Sequence, residues 1–177
     1  MRLRRKPWID DAIREYDAFV HLSGAEEYKG RWRSVFARSD APLWVELGTG
    51  KGNFISQMAV LHPEVNFIGI EIQMGVLYYA GKKCAEAEVS NVHLLKYDVA
   101  KIEDIFAPGE VDRFFINFCD PWPKSRHAKR RLTYRLFLDR YARLLAPGGM
   151  VLFKSDNAGL FDFTLEEFRQ RNWPLSE

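Results

Sequence analysis

The chain has 177 residues, which is the length of one globular domain that buries a single core. Apolar residues make up 47% and charged residues 28% of the chain, which are ordinary globular values and exclude wholesale disorder and a disulfide scaffold. No apolar run reaches the roughly 18 to 20 residues of a membrane span, which excludes a transmembrane helix in this sequence. The net charge is +2, but the stretch Pro121 to Leu145 holds eight cations against Asp139 alone, a local net charge of +7 that would attract a polyanion.

The first 40 residues have mixed charge, several aromatics and only weak helical patterns. We therefore treat residues 1–40 as an appendage to the domain that follows. Its opening RLRRK is either a flexible basic arm or a frayed terminus.

From residue 41 onward, short β-branched runs alternate with longer runs of helical period, which is typical of βα units on a parallel sheet. Strands are predicted at Leu43–Gly48, Asn66–Glu71, Val92–Asp98, Val111–Phe118 and Met150–Asp156. Helices are predicted at Asn53–His62, Met74–Ala87, Lys101–Phe106, Tyr134–Leu145 and Leu160–Arg171. We expect Asn53 to cap the first helix and the Pro147-Gly148-Gly149 turn to stop the fourth. Residues 41–177 are thus predicted to form a three-layer, Rossmann-like α/β domain with a mostly parallel sheet.

The sequence ELGTGKG, Glu46 to Gly52, lies where the first predicted strand turns into the first helix. Glycines such as Gly48 and Gly50 let a backbone approach a ligand closely, and the helix N-terminus adds hydrogen-bond donors. Glu71 ends the second strand about 20 residues further on, where a carboxylate accepts hydrogen bonds from a ribose diol. This spacing indicates a nucleoside site.

Two phosphate-binding motifs fail on this loop. A Walker loop requires glycine and then serine or threonine where the chain has Val45 and Gly52, and a dinucleotide fingerprint requires glycine where the chain has Asn53. S-adenosylmethionine has no phosphate and carries a cationic sulfur, so it suits an acidic rim. Four acids are predicted at carboxyl ends of strands, where open α/β sheets bind ligands: Glu46, Glu71, Asp98 and Asp120.

The fourth strand leads directly into DPWPKSRHAKRR, Asp120 to Arg131. The two prolines stiffen the turn, so that it presents Trp122 at a set angle. Cations follow within a few residues and are suited to an RNA backbone, while a base enters the pocket.

Together these motifs resemble the bacterial tRNA (guanine-N7)-methyltransferases, which have the class I methyltransferase fold. The resemblance covers RLRRKPW at Arg2 to Trp8, VELGTGKG, FIGIE, the strand end at Asp98, DPWPKSRHAKRR, and KSDN at Lys154 to Asn157. The DPWPKSRHAKRR motif is highly specific, whereas class I methyltransferases in general share the glycine loop.

The resemblance implies methyl transfer from S-adenosylmethionine to a guanine in the variable loop of tRNA. It implies that the cofactor contacts Glu46, Gly48, Gly50, Glu71, Asp98 and Asp120. It further implies that Asp120 is catalytic, that Lys124 and Asp156 bind the substrate, and that RNA contacts Arg126, His127, Lys129, Arg130 and Arg131.

In one respect the chain departs from this family, whose members continue past the last helix into two more strands with a T-x-x-E-like segment. Here the sequence stops at Trp173 to Glu177, so we expect the C-terminal strands to be missing and the far sheet edge to be open or paired by another chain. Two alternatives stay open at this point. One is a methyltransferase for a small molecule or an exocyclic amine, and the other is a non-catalytic RNA-binding remnant.

Cellular context follows from what the sequence lacks. The N-terminus MRLRRKPWIDD has no apolar region behind its cations, so we expect a cytoplasmic protein without a membrane partner. Cys84 and Cys119 have no metal-ligand spacing and are predicted to be reduced thiols, with no metal site. The sequence does not decide between a monomer and a homodimer.

Overall fold

Residues 6–176 are described by a computed structural model of the chain. Most of the predicted basic arm, Met1 to Arg5, lies outside the described residues. Within them, the strands are β1 (Val20–His21), β2 (Leu43–Leu47), β3 (Asn66–Glu71), β4 (Val92–Lys96), β5 (Val111–Asn117) and β6 (Leu145–Lys154). The α-helices are α1 (Ile9–Ala12), α2 (Asn53–Leu61), α3 (Met74–Glu86), α4 (Arg135–Leu144) and α5 (Ala158–Gln170). Short 3₁₀ helices span Ile13–Tyr16, Ala25–Tyr28, Trp32–Val35, Val99–Asp104 and Ser125–Arg130.

The strands form one sheet in the order β1-β4-β3-β2-β5-β6, and every pairing is parallel. The predicted Rossmann-like α/β fold is therefore confirmed. Chain order reverses at β2, which lies between β3 and β5, with Glu46 opposite Gly69 on one side and Phe115 on the other. Ligands bind at such a switch point, outside the carboxyl ends of the strands.

Side chains alternate between the two faces of the sheet and form two cores. On β3, Ile68 packs into the core that contains Phe114 and Tyr141, whereas Phe67 packs into the core that contains Ile55 and the helix α3. The helices α4 and α5 cover the first face, and α2 and α3 cover the second.

The described part of the N-terminal segment packs into these cores. Trp32 is fully buried, and its indole N–H donates to the Ile105 carbonyl at 2.7 Å. The backbone N–H groups of Gly30 and Trp32 donate to the Glu110 carboxylate at 2.9 and 3.0 Å. The strand β1 pairs with β4 at the sheet edge.

Three local predictions are wrong. Gly52, with φ of 77°, occupies the cap position of α2, and Asn53 is the first helical residue. The Pro147-Gly148-Gly149 turn does not stop α4, which already ends at Leu144; it forms an irregularity in β6, where pairing moves from Val111–Leu145 to Arg113–Met150. The predicted helix at Lys101–Phe106 is the 3₁₀ helix Val99–Asp104, which Asp98 caps by accepting the Ala100 N–H.

No helix within residues 6–176 combines the length and the apolar character needed to cross a bilayer.

Candidate functional site

A cavity of about 600 Å³ opens at the carboxyl ends of β2, β3 and β4 and is closed on one side by the turn after β5. Its wall combines acids, cations and apolar groups: Gly48, Ile70, Glu71, Ile72, Gln73, Val76, Tyr97, Asp98, Val99, Ala100, Phe118, Cys119, Asp120, Trp122, Lys129, Arg130, Leu132 and Phe137. The structure thus brings Gly48, Glu71, Asp98 and Asp120 together, although they come from four separate segments.

Gly48, at the start of the glycine loop, lines the cavity at the end of β2. Gly48 has a φ of 75°, and no atom lies within 4 Å of the position that a Cβ would take, so the wall is open there for a ligand. The loop is anchored to β3, since the Gly48 and Thr49 N–H groups both donate to the Ile70 carbonyl at 2.9 Å.

Two carboxylates of the wall have defined backbone partners. Glu71 accepts from the Gly50 N–H at 3.1 Å and from the Gln73 N–H at 3.0 Å. Asp98 accepts from the Ala100 N–H at 2.9 Å. Gly50 therefore takes part in the site by orienting Glu71, and each carboxylate keeps lone pairs for hydroxyl donors of a ligand.

Glu46 lies beneath the loop and does not line the cavity. The residue is 4% exposed, and its carboxyl group accepts from the Thr49 hydroxyl at 2.5 Å and from the Asn117 amide at 3.1 Å. Burial raises the pKa of Glu46 to about 7, and the nearby Glu71 charge adds to the rise. This carboxyl group therefore changes its charge near neutral pH.

The turn after β5 carries unusual backbone geometry. Phe118 and Trp122 have φ of 51° and 43°, the left-handed region that residues other than glycine rarely adopt. Asp120 and Trp122 both face the cavity. The Arg130 guanidinium lies 5.0 Å from the centre of the Trp122 indole, and the His127 ring meets the indole edge-on at 5.9 Å.

The predicted RNA-binding cations divide into three groups. Lys129 and Arg130 line the cavity, whereas Arg126 and the predicted substrate ligand Lys124 lie outside its wall; all four residues are exposed. Arg131 is half-buried and donates to the Pro121 and Trp122 carbonyls at 3.0 to 3.3 Å.

Asp156 is exposed and follows β6 at the same carboxyl edge of the sheet, but it is not part of the cavity wall. The neighbouring Lys154 ammonium lies 5.4 Å from the Phe118 ring centre.

Sequence reasoning did not identify several wall residues. Tyr97, Phe118 and Cys119 each stand within two positions of an acid that was identified, so proximity to a strand end was the available signal. The Tyr97 hydroxyl donates to Glu26 at 2.9 Å, which connects the N-terminal segment to the cavity. Burial raises the pKa of the Cys119 thiol to about 11, so this cysteine is a thiol at neutral pH.

This arrangement fits a cationic nucleoside without phosphates. Carboxylates of Glu71 and Asp98 can accept from hydroxyl or ammonium groups, apolar side chains such as Val76 and Phe137 can contact a base, and Gly48 leaves room for close approach. Within residues 6–176, no group of three or more histidine, cysteine or acidic side chains is arranged to hold a metal ion.

Over most of its length the chain is similar to a known protein family and to individual proteins. Residues 40–173 match the model of a family described as "Putative methyltransferase". The chain is 48% identical to a tRNA (guanine-N(7)-)-methyltransferase of Bacillus subtilis over 170 residues, which are 96% of this chain and 79% of that protein. It is 51% identical to the protein of the same description from Halalkalibacterium halodurans over 168 residues, which are 95% and 76% of the two chains.

Solved structures share the fold at low identity. A precorrin-6y C5,15-methyltransferase from Geobacter metallireducens superimposes with a TM-score of 0.58 at 16% identity, covering 75% of this chain and 64% of that one. The aminoglycoside resistance methyltransferase NpmB1 gives 0.55 at 19% identity, covering 88% and 72%. Both share the α/β fold of this chain.

Proposed function

The chain belongs to the family of the tRNA (guanine-N(7)-)-methyltransferases, and on this basis we propose that it transfers a methyl group from S-adenosylmethionine to N7 of a guanine in tRNA. The observation that carries the proposal is the shared cavity, whose wall holds the acids Glu71, Asp98 and Asp120 beside the cations Lys129 and Arg130. A methyl carrier and a nucleotide need opposite charges, and this wall supplies both within one opening.

S-adenosylmethionine, when bound, supplies a methyl group on a positively charged sulfur. Glu71 would accept hydrogen bonds from the ribose hydroxyls, and Asp98 and Gly48 would complete its binding site along the ends of β4 and β2. Glu46 supports this site from beneath, because it holds Thr49 and places a negative charge under the loop when ionised.

Guanine N7 has a lone pair in the plane of the ring, so no proton must be removed before methyl transfer. The protein's contribution is therefore orientation and charge. We propose that Asp120 acts by stabilising the positive charge that develops on the purine, since its carboxylate faces the cavity from a turn stiffened by two prolines. Trp122, beside it, offers a flat surface for a base.

The cations near the cavity suit a tRNA backbone. Lys129 and Arg130 at the wall, with Arg126 and His127 on the same segment, would contact phosphates around the target nucleotide, and Lys124 would contact the substrate nucleotide itself. Asp156 at the end of β6 is our proposed reader of the guanine N1–H and N2–H₂ donors. By family resemblance the methylated guanine lies in the variable loop of the tRNA, and we propose a cytoplasmic enzyme.

Substitution of Asp120 tests the mechanism. We expect Asp120→Ala to abolish methyl transfer to tRNA while tRNA affinity stays within a few-fold of wild type, since the carboxylate acts on developing charge and not on phosphates. The matched control is Asp162→Ala, an exposed acid on α5 outside the cavity wall, which should retain full activity. An active Asp120→Ala enzyme would remove Asp120 from the mechanism.

The nature of the acceptor is tested by offering bulk tRNA and a panel of small metabolites with labelled methyl donor. Label in tRNA is expected. Label confined to metabolites would instead indicate a small-molecule methyltransferase.

A further inference from the structure

In the segment Asp120 to Arg131, the side chain of the last residue hydrogen-bonds to the backbone near the start of the segment. Arg131 Nε donates to the Pro121 carbonyl at 3.1 Å and to the Trp122 carbonyl at 3.3 Å, and Nη2 donates to the Trp122 carbonyl at 3.0 Å. A planar guanidinium is suited to such paired acceptors, because its N–H groups have a fixed geometry. Arg131, at the end of the basic run, is therefore hydrogen-bonded to the turn Pro121 to Pro123, here called the proline turn, which precedes that run.

The same guanidinium also contacts α5. Its central carbon lies 4.4 Å from the centre of the Phe163 ring. The helix α5 is held against the α4 region by a 2.7 Å hydrogen bond between the Thr133 and Thr164 hydroxyls and by an ion pair between Arg171 and Asp139 at 2.8 Å. Arg131 thus connects the proline turn to a well-anchored helix.

The proline turn needs such a connection. Trp122 has a φ of 43°, and a non-glycine residue in this region persists only where its surroundings hold it there. Arg131 binds the carbonyl of that same residue. Asp120 and Trp122, which face the cavity, lie on either side of the other acceptor, Pro121.

Arg131 differs in this respect from the cations around it. Lys129 and Arg130 face the cavity, and Arg126 is exposed, whereas Arg131 is half-buried with its donors directed at backbone carbonyls. We propose that Arg131 is a positioning residue, which fixes Asp120 and Trp122 at the cavity by holding the proline turn against α5, and that it does not bind a tRNA phosphate.

The first test separates positioning from phosphate contact by comparing Arg131→Ala with Arg126→Ala. At 25 °C, with folding checked by thermal unfolding, Arg131→Ala should lower kcat at saturating tRNA at least tenfold and leave the salt dependence of tRNA binding unchanged. Arg126→Ala should instead reduce the slope of log K against log[salt] by roughly 0.7 to 0.9, the loss of one phosphate contact. A reduced slope for Arg131→Ala would overturn the proposal.

The second test asks whether charge alone suffices. Arg131→Lys keeps the charge but loses the planar fork and the stacking on Phe163, so we expect kcat to stay at least fivefold below wild type. Full activity of Arg131→Lys would contradict the positioning role. This variant also carries the test if Arg131→Ala does not fold.

The third test uses the Phe163 contact. Phe163→Leu should lower kcat two- to fivefold, and adding it to Arg131→Ala should lower kcat further by less than that factor, because both changes release the same turn. Independent effects would contradict the connection through α5. The inference rests on the proposed function for its assay. If wild type does not methylate tRNA, the proposed function is overturned. If wild type is active and Arg131→Ala is equally active, only the inference is overturned.

Discussion

Glu46 shows how one buried carboxyl group can influence ligand binding without touching the ligand's cavity. It holds Thr49 of the glycine loop from below and accepts from Asn117 at the end of β5. Because burial raises its pKa to about 7, the group is only partly ionised at neutral pH, and the negative charge that it offers a cationic cofactor increases as the pH rises.

We therefore expect the affinity for S-adenosylmethionine to fall as the pH is lowered through 7. In Glu46→Gln the affinity should be at least tenfold weaker at pH 8 and should lose this pH dependence between pH 6 and 8. Isothermal titration at several pH values measures both. Parallel pH profiles for the two proteins would show that Glu46 is not the titrating group.

The contribution of Glu46 to the free energy of unfolding should change with pH in the opposite direction to the cofactor affinity. A carboxyl group whose pKa is raised in the folded state favours folding below its unfolded value near 4.5, and this contribution is lost as the pH rises toward 7, at up to about 1.4 kcal/mol per pH unit. The difference in unfolding free energy between wild type and Glu46→Gln should therefore become less favourable to wild type from pH 4.5 to 7. Urea denaturation at both ends of this range measures the trend.

At the scale of the secondary-structure elements, the glycine loop is held by its packing on α3. A Cβ on Gly52 would lie 2.8 Å from Ala80 Cα and 2.9 Å from Ala80 Cβ, and the φ of 77° disfavours any L side chain. Gly109 has a similar φ of 73°, but no atom lies within 4 Å of the position of its Cβ. Comparing substitutions at the two glycines therefore separates the effect of close packing from the effect of backbone conformation.

Gly52→Ala should lower the free energy of unfolding by roughly 2 to 5 kcal/mol, the sum of overpacking and left-handed strain. Gly109→Ala should cost only about 1 to 2 kcal/mol, from strain alone. Urea denaturation of the two variants tests this comparison. Equal losses would mean that the contact of the loop with α3 contributes nothing.

Some element-level features were predictable and others were not. The acids Glu71, Asp98 and Asp120 could be placed at one edge because carboxyl ends of parallel strands share that edge. The two-residue strand β1 is too short for any periodic signal. The directions of Arg130 and Arg131 depend on the 3₁₀ turn and on Phe163 in a distant helix, which a run of cations in the sequence does not reveal.

At the scale of the whole molecule, the N-terminal segment is joined to the sheet through a pair of histidines. His21 Nε2 and His93 Nδ1 lie 2.8 Å apart where β1 meets β4, and the Phe36 ring meets His93 edge-on at 4.8 Å. Burial, together with the neighbouring His21, lowers the pKa of His93 to about 4. His93 is therefore a neutral imidazole at neutral pH, and one of the two ring nitrogens in this contact donates its N–H to the other.

Because a histidine in the unfolded chain titrates near 6.5, the unfolded state binds the extra proton between pH 6.5 and 4. His93 thus contributes stability above pH 6.5 that is lost as the pH falls through this window. Between pH 7.5 and 5.0, wild type should lose about 2 kcal/mol more unfolding free energy than His93→Gln, by one proton over about 1.5 pH units. Equal losses in urea denaturation would show that His93 does not contribute this pH dependence. The titration of Glu46 does not affect the comparison, because it contributes the same change to both proteins.

The overall account depends on the atom that receives the methyl group, and nucleoside mass spectrometry of tRNA after reaction with S-adenosylmethionine identifies it. The measurement compares an ordinary tRNA transcript with one in which every guanine is replaced by 7-deazaguanine, whose N7 is a C–H group. We predict 7-methylguanosine in the first transcript and no methylation of the second. Methylation of the 7-deaza transcript, or a different methylated nucleoside in the first, would contradict the account.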